Sequence, residues 1–180
     1  MPNEGHLIKL SFVGEFGSGK SQLIHRYVDD AFTSANYHYF GQECKVRTIN
    51  LAGFMVKLEL WDVARHGRYG SRVIKCPEYR GMHGILLVYD CTNVESFAKC
   101  NEWFEEIKKY TRGLEPKVIL IGNKCDMVAD RLVSQSQGQA LAKENGAMFA
   151  ETSAKDETNL EWVVASLVYE ILHELQSIKE

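Results

Sequence analysis

The segment Gly14-Glu15-Phe16-Gly17-Ser18-Gly19-Lys20-Ser21 constrains this chain more than any other. It fits G-x-x-x-x-G-K-[ST] in full. It stands between an apolar run, Ile8 to Val13, and a stretch of helical character from about Lys20 to Ala31. Glycines let the backbone curl so that successive N–H groups face one centre, and a helix N-terminus adds partial positive charge there. Such a turn takes phosphate oxygens. Gly14, Phe16, Gly17, Ser18, Gly19, Lys20, Ser21 and Gln22 are therefore candidate nucleotide contacts. Lys20 supplies a point charge for β- and γ-phosphates, and the Ser21 hydroxyl is a hard oxygen ligand suited to Mg²⁺. A glycine-rich turn with a chance lysine is the bland alternative, and the strand before it and helix after it argue against that.

The rest of the pattern agrees with an α/β fold. Val46 to Leu51 and Phe54 to Trp61 read as a hairpin about Ala52-Gly53, the second arm alternating Val56, Leu58 and Leu60 with Lys57 and Glu59. Ile85 to Tyr89 and Val118 to Ile121 are unbroken apolar runs, as in strands covered on both faces. Helices are expected over Phe97 to Tyr110, Gln135 to Glu144 and Asn159 to Leu175, with a short strand at Met148 to Ala150. Strands alternating with helices imply a mostly parallel sheet with crossover helices and a ligand beyond the carboxyl ends of its strands. Trp103 and Trp162, at helical spacings, read as packing residues. At 180 residues with no linker or repeat, the chain is expected to form one domain over 1–180, with a core of about 7–177.

Composition removes several classes of function. The net charge of -3 provides no basic field for nucleic acid. The five cysteines (Cys44, Cys76, Cys91, Cys100, Cys125) have no C-x-x-C spacing and read as reduced thiols in a cytoplasmic protein. The N-terminus has no apolar run of a signal peptide, and no stretch reaches the ~20 apolar residues that cross a bilayer. The last residues carry no cysteine to lipidate, so membrane association is expected only if a lipidated tail lies beyond residue 180.

A second constellation points to the base. Asn123-Lys124-Cys125-Asp126 follows the second unbroken apolar run. An aspartate there can accept from both N1 and N2 of guanine. Adenine cannot supply those donors, so the wrong base leaves a buried carboxylate unpaired. Downstream, Ser153-Ala154-Lys155 follows the next strand, where a backbone N–H can meet guanine O6. Asn and Asp after a strand are commonly turn formers alone. It is their order behind the phosphate turn that carries the inference.

With these motifs the chain resembles a Ras-superfamily small GTPase, and within that superfamily the Rab family, over residues 7–177. The Rab-like pieces are Lys45-Val46-Arg47-Thr48-Ile49, Tyr79-Arg80-Gly81-Met82-His83-Gly84, Leu87-Val88-Tyr89-Asp90-Cys91-Thr92 and Glu95-Ser96-Phe97. The resemblance implies a P-loop NTPase fold of the small G domain type: a mostly parallel six-stranded sheet with one antiparallel edge strand and helices on both faces. It implies GDP/GTP and Mg²⁺ as ligands and a role in vesicle or membrane trafficking. It implies Phe32 as an aromatic on the guanine, Asp62 as a water-bridged Mg²⁺ contact beside Ser21, and Lys20 in charge stabilisation. Trp61 and Tyr79 match two of three aromatics that Rab proteins present to effectors, with Cys44 at the third position.

The departures from the family gather where the γ-phosphate would lie. Tyr39 stands at the switch threonine that ligates Mg²⁺. Arg65 replaces a glycine whose N–H meets the γ-phosphate, and arginine tolerates such a close backbone approach poorly. His66 replaces the glutamine that orients the attacking water, leaving it a weak catalytic candidate. Phe16 replaces a small residue of the phosphate turn. The reading is a guanine-nucleotide switch with slow or impaired hydrolysis. Its rival is a non-hydrolysing pseudo-GTPase that uses nucleotide as a structural ligand for protein interactions. A third possibility, a P-loop nucleotide kinase, is opposed by Asn123-Lys124-Cys125-Asp126. Arg65 or Arg68 reaching inward as an arginine in cis stays open against a solvated loop arginine.

Overall fold

A computed structural model of the chain describes residues 5–32, 42–63 and 81–177. Among them six strands form one sheet: β1 (His6–Val13), β2 (Gln42–Leu51), β3 (Phe54–Val63), β4 (Gly84–Asp90), β5 (Lys117–Asn123) and β6 (Met148–Glu151), in the order β2-β3-β1-β4-β5-β6. All neighbours are parallel except β2 and β3, which pair antiparallel from Gln42↔Val63 to Leu51↔Phe54. Five α-helices accompany them among the described residues: α1 (Lys20–Asp29), α2 (Val94–Ala98), α3 (Cys100–Tyr110), α4 (Gln135–Glu144) and α5 (Leu160–Ser177).

Two apolar layers hold the sheet. On one side Leu23, Ile24 and Tyr27 of α1 and Val163, Val164, Leu167, Val168 and Ile171 of α5 pack on Ile8, Leu10, Phe12, Leu86 and Val88. On the other, Trp103, Phe104 and Ile107 of α3 and Leu141 and Ala142 of α4 pack on Val13, Ile85, Leu87, Tyr89 and Leu120. Successive strand residues point to opposite faces. The unbroken run Ile85 to Tyr89 therefore feeds both layers, and β4 is buried throughout. β3 is an intermediate case, with Val56, Leu58 and Leu60 buried and Lys57 exposed.

Two boundaries differ from expectation. The helix expected from Phe97 is two pieces, α2 capped by the Asn93 side chain accepting from Ser96 N–H (3.0 Å), and α3, with Lys99 between them. The first helix stops two residues early, because Asp30 takes a left-handed conformation (φ 52°) and its N–H closes on Arg26. One packing expectation is corrected. Trp103 is fully buried, whereas Trp162 is 57% exposed, on the outer face of α5. Helical spacing alone does not say which stripe of a helix faces the core.

Candidate functional site

The turn between β1 and α1 is held in shape by its glycines and one lysine. Gly14 has φ 137°, and a Cβ there would lie 2.1 Å from the Val88 carbonyl oxygen of β4. Gly19 has φ 96°, and its Cβ would lie 2.2 Å from Asn123 Nδ2. Both positions exclude a side chain twice over, by conformation and by space. Lys20 is buried, and its Nζ donates to the carbonyls of Gly14 (3.0 Å) and Glu15 (2.9 Å), which brings its charge back over the loop. Ser18 is buried as well, its hydroxyl without a partner. Phe16, by contrast, is 72% exposed.

Beside the loop, Ser21 Oγ donates to Asp62 Oδ2 at the end of β3. The other carboxylate oxygen of Asp62 is buried and has no partner. A hydroxyl next to a carboxylate with an unspent lone pair is a donor set that fits a hard divalent cation. No three His, Cys, Asp or Glu side chains converge among the described residues, so the remaining ligands of such a cation would be phosphate oxygens and water.

The base loops sit on the far side of β4, at the carboxyl ends of β5 and β6, two and three strands from β1, and side chains hold them. Asn123 is buried and bonds in two directions. Its Nδ2 donates to the Ser18 carbonyl of the phosphate loop (2.9 Å), and its Oδ1 accepts from Thr152 Oγ1 (3.1 Å). Asp126 Oδ1 accepts from Ser153 Oγ (2.7 Å), whose oxygen accepts from the Asp156 N–H (3.0 Å). Lys124, in a left-handed conformation (φ 64°), pairs with Asp90 at the end of β4 (2.5 Å). Phe32, just past α1, is 40% exposed, with the Arg26 guanidinium 5.9 Å from its ring centre. Gln22 is half-buried in the first turn of α1.

Sequence reasoning passed over four supports of this site. Arg26 Nε donates to the Ala154 carbonyl (2.9 Å) and its Nη2 to that of Lys155 (3.2 Å), tying α1 to the second base loop. Arg131 binds Glu151 with both fork nitrogens (2.6 and 3.0 Å), and this carboxylate pushes the guanidinium pKa further up. Asp90 holds Lys124, and Glu15 reaches Trp103. Glu15 and Asp90 lie inside sequence motifs and Arg26 and Arg131 in none, but no local pattern shows these contacts, because each partner is at least 20 residues away in the chain. The thiols of Cys91 and Cys125 lie near this cluster. Burial raises both, Cys91 to about 12, so neither is a ready thiolate.

Cys44 and Trp61 face each other across β2 and β3, so two positions of the expected effector triad are adjacent. Cys44 is exposed, and the Trp61 indole N–H is buried without a partner. Tyr79, Tyr39, Arg65, Arg68 and His66 lie outside the described residues. Among the described residues no helix is long and apolar enough to cross a membrane.

Known proteins resemble this chain in sequence along almost its whole length. The Ras family model matches residues 9–173. Ras-related protein RABD1 of Arabidopsis thaliana is 43% identical over 178 residues, covering 98% of this chain and 85% of the relative. Ras-related protein Rab-1D of Dictyostelium discoideum is 38% identical over 179 residues, covering 99% and 86%. The GTP-binding protein YPTM1 of Zea mays is 41% identical over 162 residues, covering 89% and 76%. With the phosphate turn, the base loops and the six-stranded sheet in place, the chain belongs to the Ras family and is a Rab-like small GTPase.

Proposed function

We propose that this protein is a Rab-type switch of membrane trafficking that binds GDP and GTP with Mg²⁺ and hydrolyses GTP slowly. The binding half of the reading rests on the Asn123 amide, which links the phosphate loop to Thr152 of the second base loop. In it, residues 14–21 receive the phosphates and Asp126 takes the two guanine donors. Ala154 and Lys155 offer backbone N–H groups to the guanine oxygen, while Phe32 and Lys124 flank the base. Ser21 and Asp62 would hold Mg²⁺, which when bound spreads the negative charge of the β- and γ-phosphates. Trp61, Cys44 and Tyr79 would meet effectors, and the small Cys44 would weaken partners that need three aromatics.

The slow-hydrolysis half rests on Phe16. An exposed benzyl group on the phosphate loop stands where the family keeps a small residue. Tyr39, Arg65 and His66 add three further departures in sequence. Loss of one preorganised contact to developing charge lowers a rate by about 10²–10³. The exposed Phe16 equally favours the second reading, a nucleotide-stabilised interaction module that does not turn over.

Single-turnover hydrolysis of bound GTP tests this. The parent is expected at least about a hundredfold below an ordinary family member. His66→Gln alone should recover little, because groups that act as a unit are strongly non-additive. The combined Phe16→Ser, Tyr39→Thr, Arg65→Gly and His66→Gln change should recover far more than the product of the single effects. A parent rate at the usual family level would overturn slow hydrolysis, and no turnover even in the combined variant would favour the interaction module.

A further inference from the structure

Glu15 follows Gly14 in the phosphate loop, and its two ends do different things. Its backbone carbonyl accepts from Lys20 Nζ (2.9 Å) and from the Ser18 N–H (3.3 Å), so the orientation of this one peptide sets where the lysine charge and the loop's turn lie. Its side chain leaves the loop for the core, where Oε1 accepts from Trp103 Nε1 at 3.0 Å. Trp103 is fully buried on α3, in the layer that also holds Val13, Ile85, Leu87 and Ile107. A buried indole N–H is donor only and needs an acceptor, and a carboxylate makes that bond charge-assisted and geometrically demanding. The negative charge also reaches Cys100, the first residue of α3. Burial and then Glu15 raise that thiol to about 12.

We propose that Trp103 and Glu15 form a positioning pair through which α3 fixes the phosphate loop and sets how long a guanine nucleotide stays bound. The inference rests on the reading that residues 14–21 hold the nucleotide's phosphates. α3 contributes none of the motif residues, yet it anchors the loop at the residue whose carbonyl holds Lys20. With the carboxylate bound to the indole, the peptide after Glu15 has one orientation. Without that bond the peptide loses a restraint, the carbonyl's hold on Lys20 and the Ser18 N–H is loosened, and part of the loop's order must be regained each time phosphate binds. A preorganised loop avoids that ordering cost.

The test is the dissociation rate of N-methylanthraniloyl-GDP from the full chain. Trp103→Phe and Glu15→Ala should each speed release by about tenfold or more, the scale of a hydrogen bond to a charged group. The double variant should release no faster than the faster single. Glu15→Gln, which keeps a neutral acceptor, should fall between the parent and Glu15→Ala. Ile107→Val loosens α3 packing without touching Glu15, and should change release far less than Trp103→Phe at a matched loss of thermal stability. In ¹⁵N-labelled protein the Trp103 indole cross-peak should shift when nucleotide is stripped from the parent, and stop following nucleotide in Glu15→Ala. If Trp103→Phe does not fold, Glu15→Ala and the cross-peak decide. Unchanged release from Glu15→Ala, or a double variant equal to the product of the singles, would overturn the pair while leaving nucleotide binding intact. Failure of the parent to bind the probe would overturn the site reading, and the pair with it.

Discussion

The phosphate loop and the base loops lie side by side, yet they are built from different materials. The phosphate loop is a main-chain device. Gly14 and Gly19 take conformations and spaces closed to other residues, and Lys20 folds its ammonium back onto two carbonyls of the same turn. The base loops are a side-chain device, in which Thr152 donates to Asn123 (3.1 Å), Ser153 donates to Asp126 (2.7 Å) and Arg131 braces Glu151. Main-chain N–H groups recognise phosphate whatever base it carries. Side-chain carboxylates and amides read one edge of one base. Damage to the first region should therefore abolish binding of every nucleotide, whereas damage to the second should alter which nucleotide is preferred.

The largest effect tests the first half of that contrast. Gly19→Ala would place a methyl 2.2 Å from Asn123 Nδ2 at φ 96°. It is expected to abolish binding of GDP and of inosine and xanthosine diphosphates together, as read by calorimetric titration. A variant that lost only guanine would break the distinction. Next comes Asp126→Asn, expected to weaken GDP by well over tenfold while xanthosine diphosphate gains, because the amide can donate where the carboxylate could only accept. Equal loss of all diphosphates there would show the base loop to be scaffolding for the phosphate loop rather than a reader. The smallest effect lies at the other end of the sheet and serves as the reference. The neutral His83 ring accepts from the Lys9 N–H (3.0 Å), and burial, then Lys9, lowers its pKa. The unfolded chain therefore takes up the proton more readily. This contribution is present above about pH 6.5, declines as pH falls below that value, and levels off below the lowered folded pKa. His83→Leu should flatten that part of the thermal stability profile without moving the relative affinities of the diphosphates.

Much of this contrast is legible in the sequence, though not in equal parts. The glycine-lysine turn announces itself, since its conformations need particular residues at fixed spacing. The strands feeding it are also plain, because β4 and β5 are buried on both faces and so carry unbroken apolar runs. Asn123 and Asp126 are readable as a motif, but the motif does not say that the Asn123 amide is directed at Ser18. Glu15, Arg26 and Arg131 are silent because their partners are distant: Trp103 lies 88 residues from Glu15, and Ala154 lies 128 from Arg26. A contact of that kind leaves no local period or composition behind. Trp162 shows the opposite failure, a large apolar residue at helical spacing that faces outward.

Asn123 deserves to be thought of as a thermodynamic link. One amide group is bonded at once to Ser18 of the phosphate loop and to Thr152 of the second base loop. Ordering of one loop by a ligand is expected to pass in part through that group to the other. The dependence must then run equally in both directions, since coupling free energies between two sites are reciprocal. Guanosine and pyrophosphate offered as separate molecules would each have to order the shared amide alone. Joined in one nucleotide, they would meet that cost a single time, so a whole nucleotide is expected to be held more tightly than its pieces in sum.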